Sequence, residues 1–180
     1  MTTFKEGRLE LTFGPEWDLV VKWDETGAHR ATERAIHGTK AVDFCGVRRG
    51  NGSRELLFIE LKDFRRHRIE NKKRLSGELA DEVAQKVRDT VAGLVGAAHC
   101  RPTEPEWLMF VQALARTKGT LKVILWLEQD EFAKPPRNTQ LGDELRRRLA
   151  WLTSRVVVMD RREAPRLGVT VAELPDGGAH

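Results

Sequence analysis

Two neighbouring apolar runs carry the strongest strand pattern in the chain. They are KAVDFCGV (residues 40–47) and ELLFIELK (residues 55–62), and the segment RRGNGSR joins them. Its Asn51-Gly52 pair suits the left-handed backbone of a tight turn between antiparallel strands. The pattern therefore predicts a β-hairpin over residues 40–62.

Later segments show apolar residues at helical spacing. One amphipathic helix is predicted from Glu78 to His99, and a second stripe contains Leu141, Leu145, Leu149 and Leu152. A shorter helix is predicted over residues 26–37, with Gly38 ending it. Another is predicted over residues 104–116, with prolines at its start. The long helix is expected to pack on the sheet.

Short apolar or alternating runs predict the remaining strands, over residues 7–13, 18–24, 121–127, 155–160 and 168–174. The order of elements indicates an α/β protein with a mixed central β-sheet flanked by helices. We find no internal repeat, low-complexity tract or linker, so residues 1–180 are expected to form a single domain.

Composition narrows the functional classes only slightly. The chain has 180 residues, and its 31 Lys and Arg against 27 Asp and Glu give a net charge of +4, which permits an anionic partner without requiring one. Two cysteines, with no close metal-ligand spacing between them, favour a reducing compartment. No apolar segment approaches the length of a signal sequence or a membrane span, so a cytoplasmic location is expected.

Charged residues interrupt the predicted hairpin at three positions. Side chains alternate across a strand, so Glu60 and Lys62 are predicted to share one face while Leu57, Ile59 and Leu61 share the other. Asp43 interrupts the preceding apolar strand, and the hairpin brings it alongside Glu60. Buried charges require a partner, a metal ion or a water-filled cleft.

This arrangement suits a magnesium site. Carboxylate oxygens are hard ligands that Mg²⁺ prefers, and the ion commonly completes its shell with water and phosphate. A bound divalent ion can acidify an attacking water and neutralise charge that develops on a phosphodiester. Lys62 is placed to orient or deprotonate that water.

Asp43, followed after sixteen residues by Glu60-Leu61-Lys62, resembles the motif of the PD-(D/E)XK nuclease superfamily. The resemblance extends over residues 26–130 as the order helix, hairpin, helix and strand, and it implies a restriction-endonuclease-like core. It also implies that Asp43, Glu60 and the backbone carbonyl of Leu61 bind Mg²⁺, with Mn²⁺ as a substitute, and that Lys62 assists the nucleophile. Val42 stands where many members have proline.

The resemblance implies further roles that the motif itself does not assign. Many members carry an acid on the helix before the hairpin, for which Glu33 is the best-placed candidate and Glu25 a weaker one. Some carry a glutamine on the following helix, where Gln85 is available, although helical projection places Gln85 nearly opposite the apolar stripe. Homodimers and larger assemblies are common in the superfamily.

A basic segment follows the predicted catalytic strand. Its cations are candidate phosphate contacts in a nucleic acid, with DNA the expected polymer: Arg65, Arg66, Arg68, Lys72, Lys73 and Arg74. The competing interpretation is a solvated charged loop.

Three functional hypotheses stay open on the sequence. The first is a metal-dependent nuclease, acting in phage defence or DNA repair. The second is an inactive nuclease-like module that binds nucleic acid or a partner protein, in which Asp43, Glu60 and Lys62 form a structural ion-pair cluster. The third is another metal-assisted phosphoryl-transfer enzyme, although no phosphate-binding glycine loop is present.

Overall fold

A five-stranded mixed β-sheet forms the centre of the fold in the computed structural model, which describes residues 1–50, 52–65, 77–116, 121–129 and 135–175. The strands are β1 (Thr2–Glu6), β2 (Leu9–Phe13), β3 (Trp17–Lys22), β4 (Phe44–Arg49), β5 (Arg54–Asp63), β6 (Leu121–Glu128), β7 (Val156–Met159) and β8 (Val169–Glu173). The α-helices are α1 (Gly27–Ala35), α2 (Glu78–Cys100), α3 (Pro105–Ala115) and α4 (Pro135–Leu149), and 3₁₀ turns cover Trp23–Glu25 and Arg161–Leu167.

The central sheet changes direction at β5. Its strand order is β3-β4-β5-β6-β7, with antiparallel pairing from β3 to β5 and parallel pairing from β5 to β7. The predicted α/β class and the predicted helices are confirmed, with helix ends shifted by a few residues. Among the described residues, no helix combines the length and the apolarity that a membrane crossing requires.

The predicted hairpin is confirmed as the pair β4 and β5. Phe44 pairs with Ile59 and Arg49 pairs with Arg54, and the Gly50 N–H donates to the carbonyl of Ser53 at the turn. Gly52 has a φ of 81°, in the left-handed region that glycine adopts readily, while Asn51 lies outside the described residues. Strand β4 begins at Phe44 rather than at residue 40, so Asp43 stands at the entrance of the strand instead of within it.

The expectation of helices flanking the sheet on its faces is wrong for one face. One apolar cluster joins the sheet to the α-helices through residues such as Phe58, Val83, Phe110 and Leu145. The opposite face packs through Leu57, Ile59, Ile124 and Trp126 against a second sheet. The protein therefore has three layers: helices, the mixed sheet and an antiparallel sheet.

The second sheet joins the two ends of the described chain. Its order is β1-β2-β8, antiparallel throughout, with Leu9 paired to Glu173 and Phe13 paired to Val169. Its inner face contributes Leu9, Leu11 and Phe13 to the cluster beneath the mixed sheet. Strand β1 was not predicted, because TTFKE is short and exposed and lacks the apolar alternation that marks β2.

Packing between α2 and the turn after β3 can be tested with two glycines of one helix. A Cβ added at Gly93 would lie 2.8 Å from Cζ2 of the buried Trp23, whereas a Cβ at Gly96 meets nothing within 4 Å. We expect Gly93→Ala to lower the free energy of unfolding by about 1 to 3 kcal/mol through overpacking. Gly96→Ala should raise it by about 0.5 to 1 kcal/mol through helix propensity.

Urea denaturation of both variants and the wild type measures these differences, with Gly96→Ala as the matched control. Equal stabilisation by both alanines would contradict the close contact between α2 and Trp23.

Candidate metal centre

Asp43 is held in place by backbone hydrogen bonds on both sides. Its carbonyl accepts a hydrogen bond from the Trp23 N–H (2.8 Å), which ties it to the end of β3. The preceding residue, Val42, donates its N–H to Oγ1 of Thr90 on α2 (3.1 Å), and both residues are buried. The entrance of β4 is therefore fixed between the sheet and the long helix.

The side chain of Asp43 points toward strand β5. Its Oδ2 accepts a hydrogen bond from the Leu61 N–H at 2.6 Å, and the residue is only 7% exposed. Burial and the neighbouring charge of Glu60 raise the pKa of Asp43 to about 8, while Lys86 and the Leu61 N–H act in the opposite direction. Asp43 and Glu60, hereafter the acid pair, thus influence each other directly.

Glu60 lies on the helix-facing side of β5. Leu57, Ile59 and Leu61 project into the cluster on the other face, as alternation along the strand requires. Glu60 has no exposed surface, and its Oε1 lies 2.9 Å from Nζ of Lys62. Its Oε2 is buried and has no hydrogen-bond partner within the described part of the chain. Such an unsatisfied carboxylate oxygen is costly unless another ligand completes it.

Helix α2 contributes two residues that the sequence did not single out. Nζ of Lys86 donates to Oε1 of Glu60 at 2.6 Å and lies 3.9 Å from Oδ1 of Asp43. Glu82, one turn earlier, accepts from Nζ of Lys62 at 2.8 Å. The acid pair, Lys62, Lys86 and Glu82 form what we call the acid–lysine centre. The available signal was an acid and a lysine four residues apart, bordering the apolar stripe of α2.

Lys62 is held as a cation in this centre. Burial alone would lower the pKa of Lys62, but the charges and hydrogen bonds of Glu60 and Glu82 outweigh burial and raise the pKa above its ordinary value. Of the two roles predicted for Lys62, this environment favours orienting a water or a phosphate over removing a proton.

A third acid lies close to the centre. Asp24, in the 3₁₀ turn after β3, has a buried Oδ1 without a hydrogen-bond partner among the described residues. Burial raises the pKa of Asp24 to about 6, and the charges of Lys22 and Lys86 oppose this rise. The sequence suggested Glu33 or Glu25 as the upstream acid and did not single out Asp24.

The other predicted site residues are placed differently. Glu33 is exposed on α1, and Glu25 pairs with Lys22 at 2.7 Å. Gln85 is half-buried on α2, and within the described ranges no hydrogen bond connects it to the acid pair or to Lys62. The structure therefore brings together Asp43, Glu60, Leu61 and Lys62, but not Glu33 or Gln85.

Of the basic residues predicted to contact phosphate, Arg65 is the one that the structure describes. The guanidinium of Arg65 is engaged by Asp63 (2.5 Å) and by Glu173 of the second sheet (2.8 Å). Arg65 thus joins the end of β5 to β8 and is not directed to solvent. The others lie outside the described residues: Arg66, Arg68, Lys72, Lys73 and Arg74.

The donor set around the acid pair is compatible with a hard divalent cation. It offers carboxylate oxygens of Asp43 and Glu60, and one of these oxygens lacks a partner among the residues that the structure describes. The ammonium groups of Lys62 and Lys86 already lie against Glu60. The N–H and C=O of one strand residue point to the same side, so the Leu61 carbonyl faces the side of Asp43. Among the described residues, no three or more His, Cys, Asp or Glu side chains converge on one point. Mg²⁺ is often bound by only one or two carboxylates, with water and phosphate as the other ligands.

Comparisons with protein-family models, with curated proteins and with solved structures found no significant match to the chain. A function for the chain is therefore inferred from the acid–lysine centre and from the resemblance of its motif.

Asp43→Asn tests the electrostatic strain between the two acids. Because the folded-state pKa of Asp43 is raised to about 8, the folded protein keeps a proton on Asp43 between about pH 4 and 8, where the unfolded chain has already released it. Wild-type stability should therefore fall as pH rises through that window. Without metal at pH 8, Asp43→Asn should raise the free energy of unfolding by about 1 to 3 kcal/mol.

Denaturation in EDTA at pH 5 and pH 8 measures this difference. Asn can still accept the Leu61 N–H, and Asp18→Asn provides a control at a surface acid that pairs with Arg49 and Arg54. An unchanged pH slope in Asp43→Asn would show that Asp43 does not hold a proton in the folded state.

Proposed function

We propose that this protein is a Mg²⁺-dependent nuclease that hydrolyses phosphodiester bonds, with DNA as the expected polymer. The observation that carries the proposal is the convergence of two buried carboxylates with Lys62 where the hairpin meets the first parallel strand. An acid pair with an oxygen that has no partner in the described part of the chain is a poor structural ion pair, because a buried unpaired acceptor destabilises the fold. It is a suitable ligand set for a divalent ion.

The order and pairing of elements support the same proposal. Helix α1, the hairpin β4–β5, helix α2 and, after α3, the parallel strand β6 occur in the order that the resemblance to PD-(D/E)XK nucleases implies. We therefore include a restriction-endonuclease-like core in the proposal. The antiparallel sheet behind it is an addition that covers the face away from the acid–lysine centre.

The residues that would hold the metal and Lys62 have distinct tasks in this proposal. Asp43, Glu60 and the carbonyl of Leu61 would hold Mg²⁺, which supplies Lewis acidity to water and to the phosphodiester when bound. The Leu61 N–H fixes the orientation of the Asp43 carboxylate. The Lys62 ammonium, anchored by Glu82, orients the attacking water and offsets negative charge on the phosphate.

One observation favours the second hypothesis, an inactive module. Two ammonium groups already contact Glu60, so the centre is close to charge-neutral without a metal. Charge neutralisation of this kind is expected of a structural ion-pair cluster. Metal binding and cleavage distinguish the two candidates.

Cleavage assays with Glu60→Gln and Lys62→Met test the proposal. We expect the wild type to cut a nucleic acid only when Mg²⁺ or Mn²⁺ is present, and each variant to lose activity by about 100-fold or more. Linear duplex, circular duplex, single-stranded DNA and RNA should be compared with and without EDTA. The control is Glu163→Gln, an acid on the opposite side of the sheet that pairs with Arg166.

Metal-independent cutting, or full activity in Glu60→Gln, would rule out this centre as the source of cleavage. No cutting of any substrate, together with no binding of Mg²⁺, would support the inactive module.

A further inference from the structure

Lys86 lies between the two acids that form the proposed metal site. Its Nζ is 2.6 Å from Oε1 of Glu60 and 3.9 Å from Oδ1 of Asp43, and its side chain is 16% exposed. The ammonium therefore stands where a cation shared by both carboxylates would stand.

A divalent ion held by both carboxylates would compete with the Lys86 ammonium for the acid pair. Mg²⁺ binds carboxylate oxygens at about 2.0 to 2.1 Å, so an ion between the two carboxylates would lie close to the ammonium that already stands between them. Two cations in adjacent contact in a buried site repel each other strongly. The Lys86 ammonium therefore cannot keep its present position once an ion is bound between the two acids.

Lys62 and Lys86 differ in what holds them. Lys62 also pairs with Glu82, which lies on α2 one turn before Lys86. Lys62 keeps this second ion pair if its contact with Glu60 is lost. Within the described residues, the acids at ion-pair distance from Lys86 are only Glu60 and Asp43. Lys86 is therefore the cation that a metal would displace.

We propose that Lys86 is a built-in competitor for the metal site, which occupies the acid pair in the metal-free protein and leaves it when Mg²⁺ binds. This inference depends on the proposed function, because it requires the acid pair to bind the metal. Asp24 is the acid to which we expect the displaced ammonium to move, since its buried Oδ1 lacks a partner among the described residues and the charge of Lys86 already acts on it. Displacement would also release an ammonium close to any phosphate bound at the metal.

Lysine labelling of the wild-type protein tests displacement directly. Reductive methylation followed by peptide mass spectrometry should show Lys86 protected without metal and modified several-fold faster at saturating Mg²⁺. Lys122 on strand β6, whose Nζ lies 2.6 Å from Oε1 of Glu55, provides the internal control. Its labelling rate should not change with Mg²⁺. Unchanged Lys86 labelling in protein that has bound Mg²⁺ would overturn the inference.

Calorimetric titration measures the Mg²⁺ affinity of two matched variants. Lys86→Met removes the competitor and should tighten Mg²⁺ binding by about tenfold or more. Arg88→Met removes the same charge from an exposed position of α2, where it pairs with Asp89, and should change the affinity little. Circular dichroism confirms that both variants are folded, and the labelling of wild type remains decisive if Lys86→Met does not fold.

The outcomes separate this inference from the proposed function. Equal or weaker Mg²⁺ binding in Lys86→Met, with binding lost in Glu60→Gln, would reject the competitor and retain the metal site. No Mg²⁺ binding in the wild type or in Lys86→Met would reject both.

Discussion

Glu60 is an acid buried beneath helix α2, and the surrounding residues offset the free-energy cost of burying its charge. A carboxylate without exposed surface requires opposite charge and hydrogen bonds close by. Lys62 supplies one ammonium from the same strand, and Lys86 supplies another from α2. Helix α2 is thus joined to the sheet by charge as well as by apolar packing, and Thr90 adds a hydrogen bond to Val42 before Asp43.

Strand alternation and the hairpin were enough to predict three of the five residues of the acid–lysine centre. Because β5 is a regular strand, the spacing of Glu60 and Lys62 fixed their common face, and the turn at Gly52 fixed the register that brings Asp43 near Leu61. Lys86 was not predicted, because helical periodicity identifies the apolar face but not which bordering polar side chain reaches across to a strand. Asp24 was not predicted either, since its burial depends on the packing of the turn after β3.

The layers of the fold were harder to predict than its elements. The apolar alternation of β2 and β8 indicates strands, but the pairing of Leu9 with Glu173 joins positions from opposite ends of the chain. No local pattern specifies such a partner. The near-continuous apolar runs of β5 and β6 indicate strands that are covered on both faces. Such runs do not show whether the covering layer is a helix or, as on one face here, a second sheet. For this reason, one face was assigned to the wrong kind of layer.

The position of the metal is the most direct test of the proposed centre. Crystals of the wild-type protein soaked in Mn²⁺ would locate the ion by its anomalous scattering. We expect a peak between the carboxylates of Asp43 and Glu60, with Lys62 still on Glu82 and with Lys86 moved away from Glu60. No peak at the acid pair at saturating Mn²⁺, with Lys86 still bound to Glu60, would contradict a metal-dependent function for this centre.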